Sequence, residues 1–388
     1  MMKKKILIVG PIGDFGGRDV EVNIIARALE TAYDTTILST IPMTAASFSL
    51  QELTNTKWKS VPESLFKNNR LIRFLSRISK KRNKGNKGNK EVYDYVSNSL
   101  SKKLMNLDAL SWEIIRNELA QTHLVVLPVQ LTTKFLPEIV NYCHEAKIPC
   151  LLRTTGTIRE VSSKDFDFLK KVTLFLHHSE ANAANLNRQL ALPYTIIDQC
   201  ALTETGLLAL DTVKKKPLRF GYLGRLSEEK GILPVARFFA QTEYPFFMAG
   251  DGSQKEALLQ IIKNKTNCIY AGLLSNAAIT DFFRQIDVLV IPSFEESGPL
   301  VGLEAMAAGK IIISTKVGAM PERLEGIKSF WFEIENVSSL QTVLAEIENS
   351  TDSELSNYAE EVRKKYIEKY SFDAVALQYK ETVQQFLP

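Results

Sequence analysis

The chain of 388 residues is poor in the residue types that announce simple chemistry, with 4 cysteines, 4 histidines and 3 tryptophans. Cys143, Cys150, Cys200 and Cys268 show no Cys-x-x-Cys spacing, which argues against a zinc site and a disulfide framework. Reduced, buried thiols in a cytoplasmic protein are the expectation. His177 and His178 end an apolar run without a third ligand, and His123 and His144 have no chemical neighbours in sequence, so no metal site is expected. No apolar stretch approaches transmembrane length, and the run 6–9 stops at Gly10-Pro11, too soon for a signal peptide, so it reads as a first strand. The dinucleotide fingerprint Gly-x-Gly-x-x-Gly is missing too. Gly10, Gly13, Gly16 and Gly17 are spaced differently, and the second strand at 35–38 runs into Ser39-Thr40 with no acidic residue, which disfavours an NAD-dependent oxidoreductase.

What the chain has is alternation. Short apolar runs at 124–127, 150–153, 174–176 and 195–197 are separated by helical patterns at 135–146, 165–171 and 180–190. Strands spaced by helices imply a parallel sheet with right-handed crossovers. After a polar linker ending in Lys214-Lys215-Lys216-Pro217, the design repeats: strands at 218–223, 246–248, 268–271, 288–291, 311–313 and 330–334, with helices between them. Ser253 and Glu256 have capping-box spacing at the start of one of these helices. The length suits two domains, and 45% apolar with 24% charged residues is an ordinary globular composition.

The segment 57–103 departs from this pattern, carrying fourteen lysines and arginines against Glu63, Glu91 and Asp94, so the rest of the chain is net acidic. Within it Leu71, Ile72, Phe74, Leu75 and Ile78 interleave with Arg70, Arg73 and Arg77 at helical spacing. Such a helix either lies on an anionic membrane surface or packs its apolar face on the domain. The KGNKGNK run that follows reads as a loop. Little aromatic interleaving and no binding motif argue against nucleic acid. Asp165-Phe-Asp167 imitates a metal-binding Asp-x-Asp, but acidic residues opening a helix have a simpler electrostatic role.

The candidate site lies in 287–322, which reads strand, loop, helix, strand. Its helix, LVGLEAMAAG, is apolar nearly all round apart from Glu304, and a buried carboxylate needs something to satisfy it. Glu296 lies in the loop feeding the same helix, and Gly298 and Pro299 suit its cap and first turn. The amides of Leu300 and Val301 would then face an anion such as phosphate. In GRLSEEKG, Arg225 and Lys230 sit on a loop after a strand, at the edge where open α/β sheets bind ligands. Gly16 and Gly17 form either a tight turn or a second phosphate contact. Two carboxylates for hydroxyls beside amides and cations for phosphate point to a nucleotide sugar.

GRLSEEKG, AGDG, GLLS, the Glu296 to Glu304 spacing running into EAMAAGK, and VGAMPE together resemble the retaining nucleotide-sugar glycosyltransferases of GT-B family 4, over about 218–325. The resemblance implies two Rossmann-like doubly wound domains facing across a cleft. It assigns 1–205 to an acceptor-binding domain with the basic insertion at about 57–103, 206–217 to a linker, 218–370 to a nucleotide-sugar-binding domain, and 371–388 to a helix crossing back. It further implies Arg225 and Lys230 on the donor diphosphate, Glu304 on the ribose, Glu296 on the donor sugar, and backbone around Leu273 and Leu274 on the base. Gly16 and Gly17 match the family's N-terminal glycine loop. The donor would be a UDP- or GDP-sugar used without a metal or other cofactor. The acceptor would be a saccharide or lipid-linked hydroxyl in bacterial surface polysaccharide synthesis, with the protein cytoplasmic and peripheral on the inner membrane face through 70–90. Two departures stand out. Gly298 and Pro299 replace the family's usual aromatic and glycine, and no histidine stands near Thr154, Thr155 and Gly156, so either another group serves the acceptor side or the donor phosphate takes the acceptor proton. A non-catalytic nucleotide-sugar-binding partner subunit and a GT-B nucleotide-sugar epimerase are the alternatives.

Overall fold

A computed structural model describes residues 3–83, 91–156, 166–188, 190–213 and 216–387. It contains two compact units: one of 1–177, 185–197 and 376–388, the other of 178–184 and 198–375. The expectations for KGNKGNK, for Asp165 and for Lys214-Lys215 fall outside the described residues. No helix among the described residues is long and apolar enough to cross a membrane.

The first unit is built on strands β1 (Lys5–Gly10), β2 (Asp34–Ser39), β3 (Lys57–Ser60), β4 (Leu124–Val129), β5 (Cys150–Thr154), β6 (Leu174–His177) and β7 (Tyr194–Ile196). All pair in parallel in the order β3-β2-β1-β4-β5-β6-β7. Their central members are buried along nearly their whole length, which is why they read as continuous apolar runs. Strand β3 corrects the reading of 57–103 as wholly insertion: KWKS pairs with β2 as the sheet edge, Lys57 and Trp58 exposed, as edge strands are commonly protected by lysine. The four cysteines are free and buried, as composition implied.

This core contains a buried polar post. Arg153 and Glu21 are both fully buried, with Arg153 Nε 3.1 Å from Glu21 Oε1, and the Tyr379 hydroxyl donates to the same oxygen at 2.6 Å. Arg153 also donates to the Ile197 carbonyl. Tyr379 lies on the helix Phe372–Gln384, so this network ties the chain's last helix to the first helix, Gly17–Leu29. The interruption read at Tyr370-Ser371 falls between the helices Asp352–Lys369 and Phe372–Gln384.

The second unit contains β8 (Phe220–Leu223), β9 (Phe246–Ala249), β10 (Cys268–Tyr270), β11 (Val288–Ile291), β12 (Ile311–Ser314) and β13 (Phe330–Trp331). They form a parallel sheet in the order β10-β9-β8-β11-β12-β13. Strand order reverses direction between β8 and β11, so the loops after these two strands part there and leave a crevice at the carboxyl edge. The first sheet reverses in the same way between β1 and β4. One cap differs from expectation. The helix Lys255–Ile261 starts after Gln254 with no side-chain cap, and the Gln254 backbone N–H donates to the Leu226 carbonyl at 2.8 Å. The capping box that does form joins Thr351 and Glu354.

Replacing Glu21 by Ala leaves Arg153 as an uncompensated buried cation. Urea denaturation should show a loss on the order of 3–5 kcal/mol, against about 1 kcal/mol for Tyr379→Phe; equal small losses would contradict the assignment.

Candidate active site

Four loops at the carboxyl edge of the second sheet are stitched together through their backbones. The loops after β8 and β11 join where the Phe294 amide donates to the Glu229 carbonyl at 2.9 Å. Gly231, at φ +64°, has no room for a side chain, since a Cβ would stand 2.0 Å from the Pro292 carbonyl oxygen. The loop after β9 packs on the loop after β8 with equal closeness: the Leu226 amide donates to Asp251 O at 2.9 Å, and a Cβ on Gly250 would meet Gly224 O at 1.8 Å. From the β12 side, Thr315 donates its hydroxyl to the Ser293 carbonyl at 2.6 Å and the Ala319 amide donates to Ser297 O at 3.0 Å. The glycines of GRLSEEKG and AGDG are thus explained first by loop-on-loop packing.

On this platform the crevice between β8 and β11 brings together most of the residues singled out in the sequence. Lys230 and Glu296, on the two sides of the crevice, form an ion pair, and Ser293 Oγ donates to Glu296 Oε1 at 3.1 Å. Arg225 is exposed on the β8 loop, and its carbonyl accepts from the Tyr222 hydroxyl at 2.7 Å and from the Ser227 amide at 3.1 Å. Leu300 and Val301 open the helix Leu300–Ala307, which starts after Pro299, so Pro299 is the cap rather than a first-turn residue. The amides of Leu300 and Val301 have no backbone or side-chain acceptor among the described residues, as expected of a first turn. Leu274 lies after β10, two strands away from β8, with Leu273 exposed beside it.

Glu304, one turn into that helix, is 5% exposed, and its carboxylate has no hydrogen-bond or ion-pair partner among the described residues. Burial alone pushes its pKa up to about 7. A carboxylate in this condition is destabilising when ionised, which makes it the one group in the crevice that a ligand's hydroxyls would relieve.

A cation that sequence reasoning missed holds the helix start in place. Arg323 is fully buried; it forks onto Asp198 through Nε to Oδ2 at 2.8 Å and Nη2 to Oδ1 at 2.6 Å, and Nη1 donates to the Pro299 carbonyl at 2.6 Å. Asp198 also lies 3.9 Å from His178 Nδ1. A Cβ on Gly298 would meet Arg323 Nη2 at 3.0 Å and His178 Cβ at 3.4 Å. The space that an aromatic side chain at 298 would need is therefore occupied by Arg323 and His178, which accounts for the departure at that position. Glu322, the end of VGAMPE, caps a neighbouring helix start, accepting from the amides of Glu180 and Ala181 at 2.9 and 3.1 Å.

In the first unit Gly16 and Gly17 stand at the start of the helix Gly17–Leu29, beside the reversal between β1 and β4. One amide of their loop is already taken, since Gly13 N–H donates to Asp19 Oδ1 at 2.8 Å. Arg18, not singled out in the sequence, donates to Pro11 O at 2.9 Å and lies 3.4 Å from Thr155 Oγ1. His177 shares a hydrogen bond of 2.9 Å with Thr154 Oγ1, and burial together with Arg153 lowers its pKa to about 4, so it is neutral at physiological pH.

Residues 211–366 match the family of glycosyl transferases group 1. The matched residues lie within the second unit. The chain is similar to the lipopolysaccharide 1,2-N-acetylglucosaminetransferase of Salmonella typhimurium, 29% identical over 183 residues, which is 42% of this chain and 48% of that protein. It is also similar to the N-acetyl-alpha-D-glucosaminyl L-malate synthase of Bacillus anthracis, 27% identical over 205 residues, covering 50% and 53% of the two chains. The matches span about half the length of these relatives or less. In fold the whole chain resembles Anabaena Alr3699/HepE, solved with UDP and glucose, at a TM-score of 0.67 and 15% identity, covering 99% of this chain and 100% of that one. The fold is GT-B, the α/β architecture of two parallel-sheet domains.

The sign of the Glu304 effect is testable without a ligand. Unfolded, this carboxyl ionises near its ordinary value of 4.5, and folded near 7. The stability linked to its protonated form is complete below the unfolded value and is lost as pH rises through 7. Glu304→Gln should therefore melt several degrees above wild type at pH 8, the gap closing toward pH 5; a gap independent of pH would contradict the burial account.

Proposed function

We propose that the crevice of the second unit binds a nucleoside-diphosphate sugar and that the protein transfers the sugar, with retention of configuration, to a hydroxyl of a saccharide or lipid-linked acceptor in bacterial surface polysaccharide synthesis. The observation that carries this reading is Glu304, a buried carboxylate without a partner, on the helix whose first amides open onto the crevice. In this reading Glu304 accepts hydrogen bonds from the ribose hydroxyls. Arg225, Lys230 and the amides of Leu300 and Val301 hold the diphosphate and stabilise the charge that builds on it as the sugar leaves. These fixed positive groups supply what a divalent metal would otherwise bring, and no metal or other cofactor is proposed. Lys230 and Glu296 neutralise each other in the free protein; on binding, Lys230 turns to the phosphate and Glu296 to the sugar hydroxyls. Leu274 lines the base. In this reading the departing phosphate takes the acceptor's proton. The names of the relatives support sugar transfer, and the Anabaena structure shows that the same fold accommodates UDP and glucose.

A thermal-shift panel with UDP, GDP, ADP and CMP should find one nucleoside diphosphate that stabilises the protein, the shift vanishing in Arg225→Ala and Glu304→Ala. The corresponding donor sugar should be slowly hydrolysed, with the anomeric signal retained by proton NMR. Stabilisation without hydrolysis or transfer would favour a binding subunit, conversion of the donor without nucleotide release an epimerase; indifference to all four nucleotides sinks the donor site.

The acceptor side of the same proposal includes an anionic membrane. The helix Arg70–Arg82 buries Ile72, Leu75 and Ser76 but leaves Leu71 and Phe74 at 45% and 60% exposure, in one stripe with Arg70, Arg77 and Lys81. The adjoining helix Ser99–Leu104 adds exposed Leu100 and Leu104. An apolar stripe rimmed by cations suits the interface of an anionic bilayer on the inner face of the cytoplasmic membrane. Arg73 is excluded from this role, since its guanidinium serves the carbonyls of Phe66 and Lys67. Sedimentation with vesicles containing anionic lipid should capture the wild type and lose a Leu71→Ser, Phe74→Ser, Arg77→Ser variant; equal capture refutes the membrane contact.

A further inference from the structure

The second sheet has another cavity at its opposite edge, away from the crevice between β8 and β11. It encloses about 510 Å³ and is lined by the linker residues 209–213, by Lys216 and Pro217, and by Arg219, Arg284, Asp287 and Lys310. Arg219, Asp287 and Lys310 directly precede β8, β11 and β12, so the cavity lies at the amino ends of these strands. Its volume is within the range of sites that hold small metabolites.

Four of its charged groups are committed, and Arg284 is one of them, ion-paired with Asp281. Arg219 forks onto Asp287, Nε to Oδ2 at 2.9 Å and Nη2 to Oδ1 at 3.1 Å, and the Arg219 amide takes the same carboxylate at 2.9 Å. Lys216 donates to the carbonyls of Glu348 and Ser350. Lys310 is different. It is 4% exposed, yet its ammonium has neither an ion pair nor a hydrogen bond among the described residues. Asp287 and Asp211 attract it without closing a pair, and burial holds its pKa down at about 8. A buried lysine of purely structural use would carry a carboxylate or carbonyl partner. Among the described residues the lining holds four cations, Lys216, Arg219, Arg284 and Lys310, against two carboxylates, Asp211 and Asp287, with Arg284 further paired to Asp281 at the rim.

We propose that this cavity is a second ligand site, which binds a small phosphate monoester through Lys310 with Arg284 at its rim. Lys216 and Lys310, the lining cations that no carboxylate among the described residues pairs, supply the positive charge for such an anion, and the unpartnered Lys310 ammonium supplies the charge-assisted hydrogen bond that orients it. Because the cavity opens at the amino edge and the crevice at the carboxyl edge of one sheet, both ligands can be bound at once, and the strands β8, β11 and β12 run directly from one site to the other. Binding at this cavity is the whole of the claim. It does not depend on the donor-site reading.

The test is isothermal titration of the full-length protein with inorganic phosphate and, separately, with glucose 6-phosphate. Wild type should bind at least one of the two saturably at one site, the two arms separating free phosphate from a sugar phosphate. Lys310→Met should weaken that binding by roughly tenfold or more, the worth of one charge-assisted contact, and Arg284→Gln, at a largely exposed position, should weaken it measurably in a protein that keeps its fold. Arg225→Ala should leave it unchanged, because phosphate caught in the donor crevice would be lost in that variant instead. No binding by wild type, or binding that survives both Lys310→Met and Arg284→Gln, overturns the proposal. Failure of the nucleotide panel with intact phosphate binding would sink the donor reading alone.

Discussion

The second unit depends on a nearly buried carboxylate without a protein partner among the described residues. Glu304 stands on a helix buried along nearly all its length, and the helix is buried because β11, β12 and the long helix Asp352–Lys369 enclose it. In a folded domain whose margin is a few kcal/mol, an ionisable group without a partner is a standing cost. The rest of the crevice keeps that cost in one place. Arg323, itself fully buried, pins the helix cap through the Pro299 carbonyl and is in turn neutralised by Asp198. The loop glycines let four chain segments approach to backbone contact, so the helix start, the Arg225 loop and Glu296 are held as one rigid edge.

Charge in this protein is arranged in pairs that leave selected groups over. Lys230 is matched by Glu296, Arg323 by Asp198, Arg219 by Asp287 and Arg153 by Glu21. Against that background, the buried groups of the second unit whose charge is not matched are informative: Glu304 at the carboxyl edge of the sheet and Lys310 at the amino edge. The carboxylate faces an environment suited to hydroxyls beside a helix N-terminus, the ammonium one rich in cations. Opposite signs at opposite edges make the two sites chemically distinct, although they share β11 and β12.

Much of this was legible in the residues because parallel strands buried on both faces read as unbroken apolar runs. The strands at 124, 150, 288 and 311 were found for that reason, and the loops after 223 and 291 followed from them. Glu304 was legible because a single carboxylate in LVGLEAMAAG has no ordinary explanation. The rest depends on tertiary contact. Arg323 and Asp198 are 125 residues apart, and nothing local marks either as one half of a buried pair. KWKS alternates like a loop with an aromatic in it and becomes a strand only when β2 offers an edge. The Ser253–Glu256 spacing suits a capping box in isolation, but the helix starts one residue later, after Gln254, and no box forms there. Lys310 reads as an unremarkable residue before a strand until the linker closes over it.

The central claim, that the Glu304 carboxylate is held unsatisfied for a nucleotide's ribose, is tested most directly by following its own titration. With glutamate labelled at the side-chain carboxyl and Glu304→Gln to assign the signal, carbon NMR should show Glu304 ionising at about 7 in the free protein. With the stabilising nucleoside diphosphate bound, it should ionise in the usual carboxylate range, because hydroxyl donors favour the charged form. A midpoint that does not move on saturation with the nucleotide would contradict the account.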